Sequence, residues 1–389
     1  MDDGIRVLHV IDRLVGGGAE ASLSTFLEAA KQDPIVAHGV VTLDGSHPSI
    51  EVLQQLGLPS WTGAPSTAIG WRDRLVVRRA VRDFEPHLVH SSLFRSLVAA
   101  SAARHGLAHL HTLTSTEYAG DAPGLRTRQR LGLQASHRVY GWLLRRRSLT
   151  IHAVSVSVER AAIDRFNLRA DRFVTVPRGR PDLSGVNPSV SADVRCELRA
   201  GNADEILIMA VAREHPIKNH LAMLKVLQLL RDRQVPARLV IVGAPGAASD
   251  ALDAHIEQHD LQAAVERLGH RDDVPSLLAA ADVLLCTSHS EGMPGGVIEA
   301  MAAQVPVVAF RAPGVTDALS DDHPGLVDFG DVETMARLVV GLSVRGPRRD
   351  AAVQLGRQRY LHEYSVEQQV VRMHSLYRRL VGPTNSSTD

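Results

Sequence analysis

Two doubly wound α/β domains are the architecture this 389-residue sequence predicts, on three observations. Short apolar runs of β-forming residues alternate with helical patterns along the chain, as in parallel sheets covered by helices on both faces. The series breaks once, over 177–188, a stretch rich in Gly, Pro and Ser that reads as an interdomain linker. The length is ample for two cores of ordinary size, and no short repeat suggests a solenoid.

The elements follow in order. In the first half, apolar runs predict strands over 6–11, 37–42, 88–90, 109–112, 150–154 and 173–176. In the second half they predict strands over 206–212, 238–242, 283–286, 307–310 and 325–327. Helical patterns lie between them, among them 21–30, 220–234 and 275–281, and 191–199 opens the second domain. A last helical pattern begins at Tyr364-Ser365-Val366-Glu367, with Ser365 as a reasonable N-cap. Its apolar residues are Val370, Val371, Met373, Leu376, Tyr377 and Leu380. The predicted domains are 1–180, 181–364 and a terminal helix with a frayed polar tail, 365–389.

Composition excludes several classes. The 43 basic and 43 acidic side chains cancel, which argues against a general nucleic-acid binder. Cys196 and Cys286 are the only cysteines, and their spacing suggests neither a metal site nor a disulfide framework. Met1-Asp2-Asp3-Gly4 is acidic and leads into a strand, unlike a signal peptide. No apolar run approaches the roughly 20 residues of a membrane span. The expectation is a soluble, cytoplasmic protein. One segment, 120–150, holds seven arginines against one Asp, with Leu131, Leu133, Val139, Trp142, Leu143 and Leu144 interleaved. A helix packed on the first domain with its arginines in water is the preferred reading. The other is peripheral contact with an anionic membrane at its inner face.

The most informative segment is Ser290-Glu291-Gly292-Met293-Pro294-Gly295-Gly296-Val297-Ile298-Glu299-Ala300-Met301-Ala302. A buried strand precedes it, a Gly/Pro loop follows, and a helix opens near Gly296. Free amides and the dipole at such a helix start favour an anion. Glu291 and Glu299 bracket the loop with seven residues between them, Glu299 in the first helical turn. Amides suit a diphosphate and carboxylates suit sugar hydroxyls, so a nucleotide sugar matches both. An ordinary strand–loop–helix junction, with Glu299 placed by the dipole alone, matches equally well.

Three other segments stand out. Arg213-Glu214-His215-Pro216-Ile217-Lys218-Asn219 follows a predicted strand, and its two cations either surround a phosphate or are merely solvated. Gly16-Gly17-Gly18-Ala19-Glu20 lets a backbone approach a ligand or serves as a flexible turn, and it lacks the dinucleotide spacing. Two doubly wound domains that face each other form a cleft at the carboxyl ends of their strands, where the Arg213 and Glu291 loops would both point.

The 290–302 segment resembles the Glu–x(7)–Glu signature of the retaining glycosyltransferases of family 4, which have the GT-B fold. The resemblance extends to Arg213 and Lys218, to Gly17 and Gly18, to Val176-Pro177-Arg178-Gly179-Arg180 (the family reads Val-Ile-Pro-Asn-Gly-Val), and to Gly269-His270-Arg271. It implies two Rossmann-like domains, acceptor-binding then donor-binding, and a C-terminal helix that crosses back to the first. By carry-over, Arg213 and Lys218 bind the donor diphosphate together with Met293, Pro294, Gly295, Gly296 and Val297. Glu299 holds the ribose, Glu291 contacts the donor sugar, and Gly17, Gly18, His270 and Arg271 belong to the donor site. Ala212 replaces a usual glycine, and Arg178 replaces a usual Asn and is read as a hinge residue.

The main departure is Thr112-Leu113-Thr114-Ser115-Thr116, where the family often carries a His near the reacting sugar. His111 lies earlier, so Ser115 and Thr116 are the candidates for that contact. The resemblance implies a retaining transferase that moves a sugar from a UDP- or GDP-sugar to a glycan, lipid-linked or small-molecule hydroxyl. It implies no cofactor and no metal. Two other readings are a sugar-nucleotide epimerase of the same shape and a nucleotide-sugar-binding module without turnover.

Overall fold

The computed structural model describes residues 4–382 except 16, 66–68, 104–105, 117–126, 200–201 and 203, with side chains from 136 onward in the helix that begins at Thr127. The chain forms two compact units, Met1–Gly179 with Val366–Asp389, and Arg180–Ser365.

The first unit is built on strands β1 (Ile5–Ile11), β2 (Val36–Thr42), β3 (Ser60–Thr62), β4 (Leu88–Ser92), β5 (Ala108–Leu113), β6 (Leu149–Ala153) and β7 (Phe173–Thr175). Their order is β3-β2-β1-β4-β5-β6-β7, and every pairing is parallel. Successive side chains of β1 serve opposite faces, as the pleat requires. Val7 and Ile11 pack with Phe26 and Leu27 of the helix Gly18–Ala30. Leu8 and Val10 pack with Val77 and Ala80 of the helix Trp71–Phe84.

The last helix, Val366–Val381, belongs to this unit and buries Met373, Leu376 and Tyr377 in the Val7 face. Val371 does not join them. It is 63% exposed, because it falls off the i, i+3, i+4 stripe that these residues trace.

The second unit is built on β8 (Ile206–Val211), β9 (Ala237–Val242), β10 (Val265–Gly269), β11 (Val283–Cys286), β12 (Val307–Phe310) and β13 (Leu326–Val327), in the order β10-β9-β8-β11-β12-β13, again all parallel. Leu284, Val307 and Ala309 face Val297, Ile298 and Met301 of the helix Gly295–Ala302. Val283, Leu285, Val308 and Phe310 share the opposite core with Leu224 and Leu227 of the helix His220–Asp232. Strands covered on both faces are continuously apolar. That is why the apolar runs located eleven strands within two residues at either end.

β3 and β10 escaped the sequence reading, and both are edge strands. Ser60-Trp61-Thr62 and Val265-Glu266-Arg267-Leu268-Gly269 contain no buried residue, so neither carries an apolar run. The helix after β1 starts at Gly18, three residues before the expected 21, and Gly17 is its N-cap.

Candidate active site

Both sheets reverse their strand order beside the first strand of the unit, between β1 and β4 and between β8 and β11. The crevice at the carboxyl ends of two such strands is where open α/β sheets bind ligands. In the second unit a small cavity lies there, lined by Lys218, Glu291, Pro294, Gly295, Gly296 and Val297 among others. All six are residues that the sequence singled out.

Backbone geometry builds this cavity. Gly295, Gly296 and Val297 are the first three residues of the helix Gly295–Ala302, and their amides lack intrahelical acceptors. The first amide inside the ladder is that of Ile298, which donates to Pro294 O at 3.2 Å. A Cβ on Gly296 would lie 2.8 Å from Val211 O, so glycine lets the helix start press against the end of β8. Glu299 is the fifth helical residue, not one of the first turn, because the helix begins at Gly295. The dipole at the helix start therefore does not account for it.

The loop after β8 carries the cation. Pro216–Lys218 forms one 3-10 turn, and Asn219 follows in the left-handed region at φ 52°. The Thr287 hydroxyl donates to Lys218 O at 3.1 Å and to Asn219 O at 2.9 Å, and His289 N–H donates to Ile217 O at 2.8 Å. These bonds join the loop after β8 to the loop after β11. Lys218 Nζ donates to both carboxylate oxygens of Glu291, at 2.6 and 2.7 Å. The Ser288 hydroxyl donates to Glu291 Oε1 at 2.7 Å.

The loop after β12 holds Glu291 from the other side, through Glu291 N–H to Pro313 O at 2.9 Å. Gly314, at φ 77°, is required there, because a Cβ would lie 2.1 Å from Glu291 O. The buried thiol of Cys286 is pushed up to about 11 by burial, so it stays protonated and is no nucleophile.

Arg213 is exposed at the start of the loop after β8. Its neighbour Glu214 is buried and accepts from Arg267 Nε at 2.7 Å and from the Ser249 hydroxyl. Burial alone would raise this carboxyl, and the bonds from Arg267 and Ser249 outweigh it and hold it low. Met293 is half-buried against the core. Glu299 Oε1 accepts from Arg180 Nε at 2.8 Å, a partner that the sequence reading missed because Arg180 lies 119 positions away, within the linker.

His270 and Arg271 follow the edge strand β10 and do not line the cavity. Arg271 forks onto Asp273 at 2.8 and 2.7 Å. What β10 offers toward the sheet is backbone: Gly243 N–H donates to Gly269 O at 2.8 Å.

In the first unit Gly17 and Gly18 follow β1, and Ser115 and Thr116 follow β5, so both pairs lie at the carboxyl end of the same sheet. A Cβ on Gly17 would lie 2.5 Å from a carboxylate oxygen of Glu20, a buried residue. His111 lies inside β5, fully buried. Its Nδ1 is 2.9 Å from the Ser91 hydroxyl and its Nε2 is 2.9 Å from the Tyr140 hydroxyl. It is held in the core through both ring nitrogens. Of the 120–150 segment, residues 120–126 and the side chains to 135 lie outside the described residues. Farther along, Leu143 and Leu144 are buried, while Val139 and Trp142 are 45% and 58% exposed. No helix among the described residues is long and apolar enough to cross a membrane.

Two family models match the chain, Glycosyltransferase Family 4 over 16–181 and Glycosyl transferases group 1 over 199–359. EpsF of Bacillus subtilis, assigned as a glycosyltransferase, is 26% identical over 315 residues, 78% of each chain. A D-inositol 3-phosphate glycosyltransferase of a Mycobacterium species is 30% identical over 205 residues, 48% of this chain and 46% of that one. Among solved structures, Anabaena HepE in complex with UDP and glucose superposes with a TM-score of 0.78 at 20% identity, covering 96% of this chain and 100% of that one. Sucrose-phosphate synthase from Thermosynechococcus elongatus gives 0.74 at 18% identity, covering 96% and 99%. These likenesses establish the GT-B fold. With a cavity at the β8/β11 switch point lined by amides, a lysine and a carboxylate, and with both halves matched by family models, the chain belongs to the group 1 glycosyltransferases, enzymes that draw on nucleotide-sugar donors.

Proposed function

We propose that this enzyme transfers a hexose from a UDP-sugar, or less favourably a GDP-sugar, to a hydroxyl of a glycan, lipid-linked or small-molecule acceptor, with retention at the anomeric carbon. The observation that carries the reading is the convergence of three free amides, Lys218 and Glu291 on one cavity. The uridine preference draws support from HepE, whose structures contain UDP, glucose or UDP-glucose.

In this reading the Gly295–Val297 amides, Lys218 and Arg213 bind the diphosphate. The bond from the anomeric carbon to the diphosphate oxygen breaks, and its electron pair leaves with the diphosphate. Fixed positive charge stabilises that departure. The acceptor oxygen forms the new bond on the same face, and its proton passes to the leaving diphosphate. Glu299 accepts from the ribose hydroxyls. Glu291, released in part from Lys218 when phosphate arrives, accepts from donor-sugar hydroxyls. Ser115 and Thr116 stand in for the family histidine, and Gly17 and Gly18 approach the donor phosphates. His270 and Arg271 flank the base through backbone contacts. No cofactor or metal takes part, so EDTA leaves turnover unchanged. Peripheral contact with an anionic membrane is a secondary proposal. It is favoured by exposed Trp142 with the Arg146 guanidinium 4.1 Å above its ring, and vesicle flotation at low salt tests it.

The deciding experiment is a thermal-shift screen against UDP-, GDP- and ADP-sugars and the bare nucleotides. A rise in midpoint confined to the uridine series, followed by acceptor-dependent release of UDP, supports the reading. A binder that releases no UDP with any acceptor is the module without turnover, and acceptor-independent conversion of the donor sugar is the epimerase.

A further inference from the structure

Arg180 is the first residue of the second unit, and its place there is set through its backbone. Its N–H donates to Tyr364 O at 2.8 Å, within a parallel bridge to Ser365, and its carbonyl accepts from the buried Tyr360 hydroxyl at 3.0 Å. From this anchor the side chain, 13% exposed, reaches Glu299 Oε1 at 2.8 Å. Among the described residues Glu299 Oε2 has no hydrogen-bond partner, so one oxygen is held while the other remains available to a ligand.

A second observation points the same way. A Cβ on Gly295 would lie 2.7 Å from Arg180 Nη2. The two adjacent glycines at the helix start therefore have different reasons. Gly296 admits the backbone of β8, and Gly295 admits a guanidinium. The sequence pattern that the linker resembles carries Val where this chain has Arg180.

We infer that Arg180 is a positioning residue of the donor site, one that orients the Glu299 carboxylate toward the nucleotide ribose. The inference rests on the proposed role of Glu299. A planar guanidinium anchored at its backbone restricts a carboxylate far more than water does, and it leaves less ordering to be done when the ribose binds. Charge-assisted bonds of this kind are short and directional. Losing the alignment at a ribose-binding carboxylate is expected to weaken nucleotide binding by about 10-fold, the size of one hydrogen bond to a charged group.

The test measures affinity for UDP and for 2′-deoxy-UDP by calorimetry, together with donor KM and kcat, in four proteins: wild type, Glu299→Gln, Arg180→Val and the double variant. Wild type is expected to prefer UDP, and E299Q to lose that preference. R180V should lose most of it too, raising donor KM with kcat changed by less than about 3-fold, and the double variant should be no weaker than E299Q. R180K, which keeps the charge but not the planar fork, should fall between wild type and R180V, and it serves if R180V does not fold. If E299Q keeps the preference, the ribose role of Glu299 fails and this inference falls with it. If E299Q loses the preference while R180V weakens both nucleotides equally, Arg180 is a direct diphosphate ligand and the inference alone is overturned. Unchanged affinities in R180V and R180K overturn it as well.

Discussion

The two sheets share a strand order and differ in what they bury. β8, β9, β11 and β12 present aliphatic residues to both cores, and several charged groups around them are paired. Arg195 and Arg199 meet Asp282, Arg267 meets Glu214, and Lys218 meets Glu291. In the first unit histidines lie inside the sheet itself. His9 Nε2 is 3.0 Å from His38 Nδ1, His38 Nε2 is 3.2 Å from His374 Nε2, and His374 Nδ1 is 2.7 Å from Asp33 Oδ2. His90 bridges the Tyr377 hydroxyl at 2.9 Å and the Thr112 hydroxyl at 2.6 Å, and Thr112 continues to His152 Nδ1 at 2.8 Å. The comparison teaches that strand order tolerates polar residues in the sheet interior when these histidines find partners. It also separates the linked histidine networks of the first unit from the amide-and-cation cavity of the second.

Acid should give the largest effect and the sharpest contrast. Burial, first of all, lowers His38 and His111 to about 3 and His152 to about 4, and it pushes His9 and His90 well below the ordinary value. Groups depressed on folding bind protons more readily when unfolded. Stability is therefore full above about pH 6.5 and falls as pH drops toward 4, by up to ~1.4 kcal/mol per pH unit for each such histidine. In the second unit burial lowers His323 to about 4 and also lowers His220 and His255, so a smaller loss is expected there. Hydrogen exchange at pH 7 and pH 5 should show β1, β4 and β5 losing protection before β8 and β11. Equal loss in both sheets would break the comparison.

Lys218→Ala comes next. It removes the cation at the cavity and leaves Glu291 without its ion-pair partner. Turnover should fall about 10²–10³-fold, the scale of one lost electrostatic stabiliser, with the first unit's acid profile unaltered. A K218A enzyme of full activity would refute the phosphate-site assignment. Gly296→Ala forces a Cβ against Val211 O and should cost roughly 1–3 kcal/mol of stability, with weaker nucleotide binding. Calorimetry with and without UDP checks both effects. Tyr377→Phe is the smallest change. It removes the hydroxyl beside His90 and should cost about 1 kcal/mol in thermal unfolding, with donor affinity untouched.

The fold was largely legible because burial leaves a trace in composition. In the second unit every strand with neighbours on both sides carries an apolar run, whereas β5 of the first alternates Leu with His, and the helix stripes carry the 3.6 period. β3 and β10 left no such run, being half-covered edge strands. The lining of the cavity was legible too, since Gly295, Gly296, Glu291 and Lys218 stand close together in sequence or in βα loops.

Other features depend on contacts between distant residues. The sequence by itself determined two doubly wound sheets, their linker and the glycine-rich helix start after β11, because local periodicity and backbone stereochemistry encode each of them. Only the tertiary structure decided that Lys218 closes on Glu291, that Arg180 holds Glu299 from 119 positions away, and that His111 is locked in the core beside Ser91 and Tyr140. Side-chain pairing across a sheet depends on which strands become neighbours and in what register, and no window of local sequence contains that information.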